Sequence, residues 1–419
     1  MGPMKICLVT AFPPSRRGLN EYGYHIAREL QADPLLSVTV LADETEGIST
    51  EELHDFDVRR VWDFNYKTNA LRILKAVRDI KPDVVWYNLL FSTFGNHPIA
   101  AFCGLTAPAL TRLSGVYTHV TLHHLMDNID LKDAGVRSAG LYRMAGKIAT
   151  RMLLTANSVS VLLPAYRRTL IEKYRGENIH FRSHGILSAR PEYPDFSLRG
   201  QPHKILAFGK WGTYKRLELL IDAFQRISST RSDLKLVIAG ANHPQTPGYV
   251  ESVAASVSSN RNIEFTGYVA EEAIAPLFRS ATVLVLPYSS ATGSSGVAHL
   301  AAEYGVPIIS ADIEDFRDMA MDEGLAIEFY RTGDPESMAE KIVTIVDNPE
   351  QQKEMAEANF SAALRMTMPQ IIRRYLRSFD AHQRAKALAP ISRFRRLPAW
   401  IPSRSAIFRA AAPRWSPWM

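Results

Sequence analysis

The stretch ATVLVLPYSSATGSSGVAHLAAEYGVPIISAD, residues 281–312, decides how this chain is read. Residues 282–286 are apolar and partly β-branched, a composition that suits a strand covered on both faces. The Ser/Thr/Gly run 289–296 carries almost no side-chain bulk. Its backbone N–H groups can therefore approach an anion at the N-terminus of a helix beginning near Gly296. A second apolar strand closes the segment at 308–310. Strand, small-residue loop, helix and strand make a βαβ unit, and phosphate is the anion such a loop suits. An ordinary Ser/Gly-rich connection has the same composition, because small residues mark turns generally, so the surroundings must decide.

Outward from this unit the chain alternates strand and helix signals. The first half runs 6–10, 22–31, 38–42, 70–80, 84–87 and 118–122, then a long helix-compatible stretch around 141–154, and 158–163. Pro191, Pro194, Gly200 and Pro202 cluster in a polar segment that reads as a linker. A second series follows at 205–208, 217–228, 234–239, 249–257, 263–265 and 271–279, leading into the opening unit. Such alternation predicts an α/β chain with two Rossmann-like doubly wound domains facing across a cleft. The expected boundaries are 1–190 for the first domain, 191–203 for the linker and 204–365 for the second domain. A helix at 366–383 is expected to return to the first domain, and a basic aromatic tail occupies 384–419.

With 419 residues and 46% hydrophobic content, each domain can bury its own core. Cys7 and Cys103 have neither metal-ligand spacing nor a disulfide framework, which favours a reducing compartment. The N-terminus opens into a strand at residues 4–10 instead of a signal peptide, and no run reaches transmembrane length, so a cytoplasmic protein is expected. The net charge of +6 is an uneven average. Arg384, Lys386, Arg393, Arg395, Arg396, Arg404, Arg409 and Arg414 carry eight positive charges in a segment without acids, leaving about −2 for the rest. Nucleic acid is therefore not an expected partner of the main body. In the tail the arginines interleave with Phe394, Leu397, Trp400, Ile401, Phe408, Trp415 and Trp418. That mixture suits an anionic bilayer interface at the inner face of a membrane. Pro390, Pro398, Pro402, Pro413 and Pro417 predict short amphipathic pieces in place of one helix.

Separated motifs then occur in a recognisable order. Leu286-Pro287 ends a strand and Gly305-Val306-Pro307-Ile308-Ile309 closes the unit after the loop. Pro13-Pro14 and Arg17-Gly18 follow the first strand, Thr121-Leu122-His123 ends another, and Ser183-His184-Gly185-Ile186 precedes the linker. Phe208-Gly209-Lys210 with Lys215 and residues 219–224 opens the second domain. Residues 236–240, 263–269 and Gly333-Asp334-Pro335-Glu336 complete the series. Over roughly residues 4–380 the chain resembles the family 4 retaining glycosyltransferases of the GT-B fold.

That resemblance implies roles for particular residues. His123 is placed at the transferred sugar as the catalytic-site residue. Gly18 lies in the loop near acceptor and donor phosphate, and Lys210 and Lys215 grip the nucleoside diphosphate. Tyr268, Thr292, Gly293, Ser294, Ser295 and Gly296 belong to the donor side. Apart from the resemblance, Lys210 and Lys215 flank a short loop that opens a helix, and two surface lysines would otherwise be solvated. Departure of a nucleoside diphosphate builds negative charge, which fixed cations and aimed N–H groups stabilise. No metal site and no cofactor is expected, because those groups can supply the charge that Mg²⁺ supplies elsewhere.

The departures concern carboxylates. The two glutamates that the family spaces eight positions apart fall here on Thr292 and Leu300. Glu303, one helical turn beyond, is a candidate to reach ribose, and His299 is a second substitute. The leading expectation is transfer of a hexose, with retention, from a nucleoside diphosphate sugar to a glycan or glycolipid hydroxyl in bacterial surface-polysaccharide assembly. Two rivals stand beside it: a non-catalytic GT-B subunit that binds sugar nucleotide, and a sugar-nucleotide epimerase.

Overall fold

Apolar strands separated by amphipathic helices fold here into two parallel sheets, seen in a computed structural model. It describes residues 3–15, 17–45, 55–128, 139–196, 203–212, 214–243, 245–290 and 293–395. Thr292, part of the expected linker and the tail beyond Arg395 lie outside the described residues.

The first sheet takes its strands from the first half of the chain. In order these are β1 (Met4–Val9), α1 (Asn20–Gln31), β2 (Leu36–Asp43), β3 (Asp57–Trp62), α2 (Asn69–Ile80), β4 (Val84–Leu89), α3 (Pro98–Leu105), α4 (Ala107–Leu113), β5 (Tyr117–Leu122), α5 (Ala139–Leu153), β6 (Ser158–Val161), α6 (Pro164–Tyr174) and β7 (Ile179–Phe181). All pairings are parallel and the order is β3-β2-β1-β4-β5-β6-β7. Every residue of β4 is buried, as a central strand covered on both faces requires.

The second sheet repeats the plan. It contains β8 (His203–Phe208), α7 (Leu217–Ser228), β9 (Leu234–Ala239), α8 (Tyr249–Ser256), β10 (Ile263–Gly267), α9 (Glu271–Arg279), β11 (Val283–Leu286), α10 (Gly296–Glu303), β12 (Ile308–Ala311), α11 (Glu314–Asp318), β13 (Ile327–Tyr330), α12 (Pro335–Val346) and α13 (Pro349–Leu364). Its order is β10-β9-β8-β11-β12-β13, again all parallel. Alternate residues Ile205, Ala207, Leu236, Ile238, Val283 and Val285 share a core with Leu220 and Phe224 of α7 and Met338 and Ile342 of α12. The two-residue side-chain period of a strand thus meets the apolar stripe of each helix.

α14 (Met368–Arg395) follows. Residues up to 371 group with the two sheets, and 372 onward form a separate unit. The expected helix of 366–383 is twelve residues longer at its C-terminal end, and it passes through Pro390. A proline removes one intrahelical hydrogen bond and crowds the carbonyl four residues back, which bends a helix without having to end it. β3, α3, α4, α6, β7, α11, β13, α12 and α13 also went unread in the sequence. β3 is an edge strand with Arg59 and Arg60 at its centre, and β7 has only three residues, so neither shows an apolar period.

One close approach fixes the start of the second domain. Gly240 has φ +114°, and a Cβ there would lie 1.8 Å from the Gly209 carbonyl oxygen. The Gly209 N–H donates to the Ala239 carbonyl at 3.0 Å, so the loop after β8 is held against the end of β9. Gly240→Ala should cost about 3 kcal/mol or more, through left-handed strain and a backbone clash. Urea unfolding followed through the second domain checks this, and an unchanged midpoint would mean that the two loops do not touch.

Candidate functional site

In each sheet the strand order reverses once, between β1 and β4 in the first and between β8 and β11 in the second. Loops leaving the C-terminal ends of such strands diverge to opposite faces and open a crevice where ligands bind. In the first domain that crevice is bordered by the loop after β1 and the ends of β4 and β5. In the second it is bordered by the loops after β8 and β11.

On the first-domain side, Asn88 near the end of β4 is fully buried and donates its amide to Thr10 Oγ1 at 3.2 Å. Its Oδ1 lies 2.6 Å from His123 Nε2. With the amide oriented by Thr10, Nε2 carries the ring proton and Nδ1 keeps the lone pair. Burial, then the neighbouring His184 and His124, hold the His123 pKa well below the ordinary imidazole value, so the ring is neutral. Tyr22 stands edge-on to His123 at 4.9 Å between ring centroids, and donates its hydroxyl to the His184 carbonyl at 2.9 Å.

The loop after β1 is organised by Asp43, which accepts from Phe12 N–H at 3.1 Å, Ser15 Oγ at 2.6 Å and Arg17 Nη1 at 3.2 Å. Arg17 also lies 3.6 Å from Asp63 and packs over Phe64. Its charge is thus used within the first domain. Gly18 is exposed, and a Cβ there would press on Leu90 at 3.0 Å.

On the second-domain side, Lys210 is exposed and Lys215 half-buried. Lys215 Nζ sits 4.9 Å from the Tyr288 ring centroid, 6.0 Å from that of Tyr214, and 3.1 Å from where a Cβ on Gly209 would lie. Burial pushes its pKa down from the ordinary lysine value. After burial itself, Lys210 and Lys215 both depress the pKa of His243, which shows that the two ammonium groups act on one region. Lys210 also acts on Glu21 at the start of α1, whose pKa is raised by burial and by Glu271 and lowered by this lysine. Lys210 is thus within electrostatic reach of the first domain.

The loop after β11 differs from the expected open cradle. The Gly293 N–H is already donated to Asp315 Oδ2 at 2.8 Å, and Tyr166 OH reaches the same oxygen at 3.4 Å. Gly293 has φ +79°, and a Cβ there would lie 2.9 Å from the His123 carbonyl oxygen. Ser295 is the helix cap, its Oγ accepting from Ala298 N–H at 3.4 Å. Ser294 Oγ is buried without a hydrogen-bond partner among the described residues, and Gly296 is exposed at the first position of α10. Tyr268 is 83% exposed at the end of β10, an edge strand two places from the order reversal.

Residues that carried no signal in the sequence hold this loop. Asp318 Oδ2 accepts from the Ala165 N–H at 2.7 Å, capping α6 of the first domain from the second, and Arg168 lies 3.3 Å from Oδ1. Nothing in the local pattern marks Asp315 or Asp318, since their partners are about 150 residues away. Asn88, a lone amide in the apolar run VVWYNL, was the one readable hint.

Glu303 is 8% exposed and hydrogen-bonded to Ser188 ahead of the linker. Burial raises its pKa to about 7, with the Ser188 hydroxyl opposing. Leu300, on the position of a family glutamate, is half-buried. His299 is buried against Glu323 and stacks near His184 at 5.1 Å. Among the described residues no group of three His, Cys, Asp or Glu side chains is arranged to hold a metal ion.

Residues 202–348 match the family model described as Glycosyl transferases group 1. A GDP-mannose:glycolipid 4-beta-D-mannosyltransferase of Xanthomonas campestris is 23% identical over 224 residues, 53% of this chain and 58% of the relative's length. Among solved structures, a sucrose-phosphate synthase from Thermosynechococcus elongatus superposes with a TM-score of 0.72 at 15% identity, covering 91% of this chain and all of the other. Anabaena HepE in complex with UDP gives 0.64 at 14% identity, covering 90% of this chain and all of the other. The fold is GT-B, as the order of motifs implied.

The raised Glu303 pKa makes a stability statement. A carboxyl near 4.5 when unfolded and about 7 when folded favours the fold only while protonated, so stability is lost as pH rises from about 4.5 through 7. Glu303→Gln should leave stability near pH 4 almost unchanged and raise it at pH 8 by roughly 3 kcal/mol. Equal effects in urea unfolding at both pH values would place the carboxylate in water.

Proposed function

We propose that this protein is a glycosyltransferase moving a hexose from a nucleoside diphosphate sugar to a hydroxyl of a glycan or glycolipid. The observation that carries the reading is the placing of Lys210 and Lys215 at the loop after β8, beside the second domain's order reversal, with neutral His123 at the end of β5 beside that of the first. A departing diphosphate builds charge where these cations sit, and the transferred sugar lies between them and His123. Fixed charge in a partly dry crevice stabilises that leaving group without reorganisation. The chemistry needs no metal in this reading. The relative named for GDP-mannose and a glycolipid, and HepE named with UDP, make GDP-mannose and UDP-sugars the first donors to test.

Retention is the stereochemical course that the sequence resemblance implies. Inversion is favoured by one feature: His123 is held in a base form with its lone pair on Nδ1, as a general base for an acceptor hydroxyl would be. The relative's name also specifies a beta linkage. Anomeric NMR of the product decides between the two.

The setting we propose is surface-polysaccharide or glycolipid synthesis at the cytoplasmic face of a membrane, with the basic tail reaching anionic lipid. No described helix is long and apolar enough to cross a membrane. Salt-sensitive sedimentation with anionic vesicles, lost on truncation after Gln383, is the expected result; binding that survives the truncation would remove the tail from the proposal.

Two further outcomes test the catalytic reading. Lys215→Ala should weaken diphosphate binding about ten- to a hundredfold, the loss of a charge-assisted contact of roughly 1.5–3 kcal/mol. His123→Ala should lower turnover far more than nucleotide affinity. Calorimetry with UDP, GDP and ADP, and turnover with their sugars, measure both. A chain that binds these nucleotides without turnover would be a non-catalytic sugar-nucleotide subunit, and one that binds none would leave the donor reading unsupported.

A further inference from the structure

His299 and Glu323 lie beneath the loop after β11, with side chains only 2% and 1% exposed. His299 Nδ1 is 2.8 Å from the carbonyl oxygen of Ser295, the residue that caps α10. A carbonyl oxygen only accepts, so Nδ1 carries a hydrogen. The other ring nitrogen, Nε2, is 2.9 Å from Glu323 Oε2. Were His299 neutral and Glu323 ionised, two lone pairs would face each other in a dry site, an arrangement burial makes costly. A proton must lie between them. Whether it is written on the imidazole or on the carboxyl, the pair as a whole is neutral. Glu323 Oε1 is buried without a hydrogen-bond partner among the described residues, which further disfavours an ionised carboxylate that has lost its imidazolium.

We propose that His299 and Glu323 are a one-proton positioning dyad: His299 fixes the Ser295 carbonyl at the head of α10, and losing the shared proton leaves a buried net negative charge beneath the donor loop that weakens diphosphate binding. The inference rests on the nucleotide-sugar reading and assigns His299 a role that neither Thr292 nor Leu300 can take over from the missing carboxylates. Its sign follows from the environment. Burial alone would lower the His299 pKa, but the Glu323 charge and hydrogen bond outweigh it and the net shift is upward. The pair is therefore protonated at lower pH and loses its proton as pH rises.

Other groups facing the dyad must be separated from it. His184 packs against the His299 ring and is held neutral, burial pushing its pKa down to about 3. Glu303 lies one turn along α10 and has a pKa of about 7. Behind Glu323, Asp322 belongs to the same π-helical turn, Met319–Glu323, and the Arg365 guanidinium approaches Gly324. Lys215 titrates on the other side of the loop, with a pKa lowered by burial. All of these remain in a His299→Gln variant, so the difference between the two proteins isolates the dyad.

The experiment is calorimetric titration with UDP, GDP and ADP between pH 7 and 9.5 on the full chain, His299→Gln and Glu323→Gln. The intact protein should lose about tenfold in affinity across that range through the added charge. His299→Gln should lose at least several-fold less, and Glu323→Gln should behave the same way should the first variant fail to fold. Parallel pH profiles in all three proteins would overturn the proposal. Imidazole NMR of His299 supplies an arm independent of nucleotide. A transition above the ordinary imidazole value of about 6.5 is expected, and one at or below it would overturn the shared proton. If no nucleoside diphosphate binds the intact protein, the donor reading fails and the NMR arm alone judges the dyad.

Discussion

Two carboxylates of the short helix α11 tie the donor loop to the opposite domain, and the arrangement of the crevice depends on them. Asp318 caps the N-terminus of α6, a helix whose own preceding residue, Leu163, has no side chain able to do so. Asp315 accepts from both Tyr166 of that helix and Gly293 of the loop. A helix N-terminus carries unsatisfied N–H groups and partial positive charge, so a buried carboxylate there is favoured twice over. Because the two acids are three residues apart on one helix, the loop cannot adopt its described shape independently of where α6 lies. Donor-loop geometry and the contact between the domains are a single arrangement.

That coupling accounts for how a site without the two expected glutamates remains polar and ordered. The Gly293 N–H is satisfied by Asp315, the Ser295 carbonyl by His299, and the Ser295 hydroxyl by the first turn of α10. The Gly293 N–H is committed to Asp315, and in the proposed reading the charge of Lys210 and Lys215 meets the diphosphate. The sequence had suggested that the lysines and the loop's N–H groups would both contribute. Its Ser/Gly run was read as backbone that can approach an anion; at Gly293 the described loop lies close to the His123 carbonyl of the other domain.

The fold was legible for a simple reason: several inner strands, β8, β9, β11 and β12 among them, are largely apolar runs, and amphipathic helices alternate with them. β4, β11 and β12 are buried throughout, and all three were read from the sequence. β3 and β7 were not, because an edge strand exposes alternate polar residues and a three-residue strand has no period at all. In the site, Lys215 and His123 were singled out by the motifs in which they stand. Asn88, Asp315, Asp318 and Glu323 act through partners far along the chain, and no local pattern records a partner. Tyr268 was read from its motif alone, and its exposure at an edge strand gives it no packing that would aim it at the crevice.

The aromatic residues around His123 form a row, Tyr22 at 4.9 Å, His184 at 4.5 Å from Tyr22, and His299 at 5.1 Å from His184. It runs from the end of β5 to the first turns of α10. Burial lowers the pKa of His123 and His184, whereas His299, which alone of the three has a carboxylate at hydrogen-bond distance, is raised. Three histidines in one low-dielectric stretch thus hold two neutral rings and one proton-bearing pair, and the difference comes from Glu323. Were all three protonated, like charges would crowd a buried region. Were none, Glu323 would be an unpaired buried charge. The described pattern is the distribution that avoids both costs, and it leaves a neutral ring at the β5 end of the row and the bound proton at the α10 end.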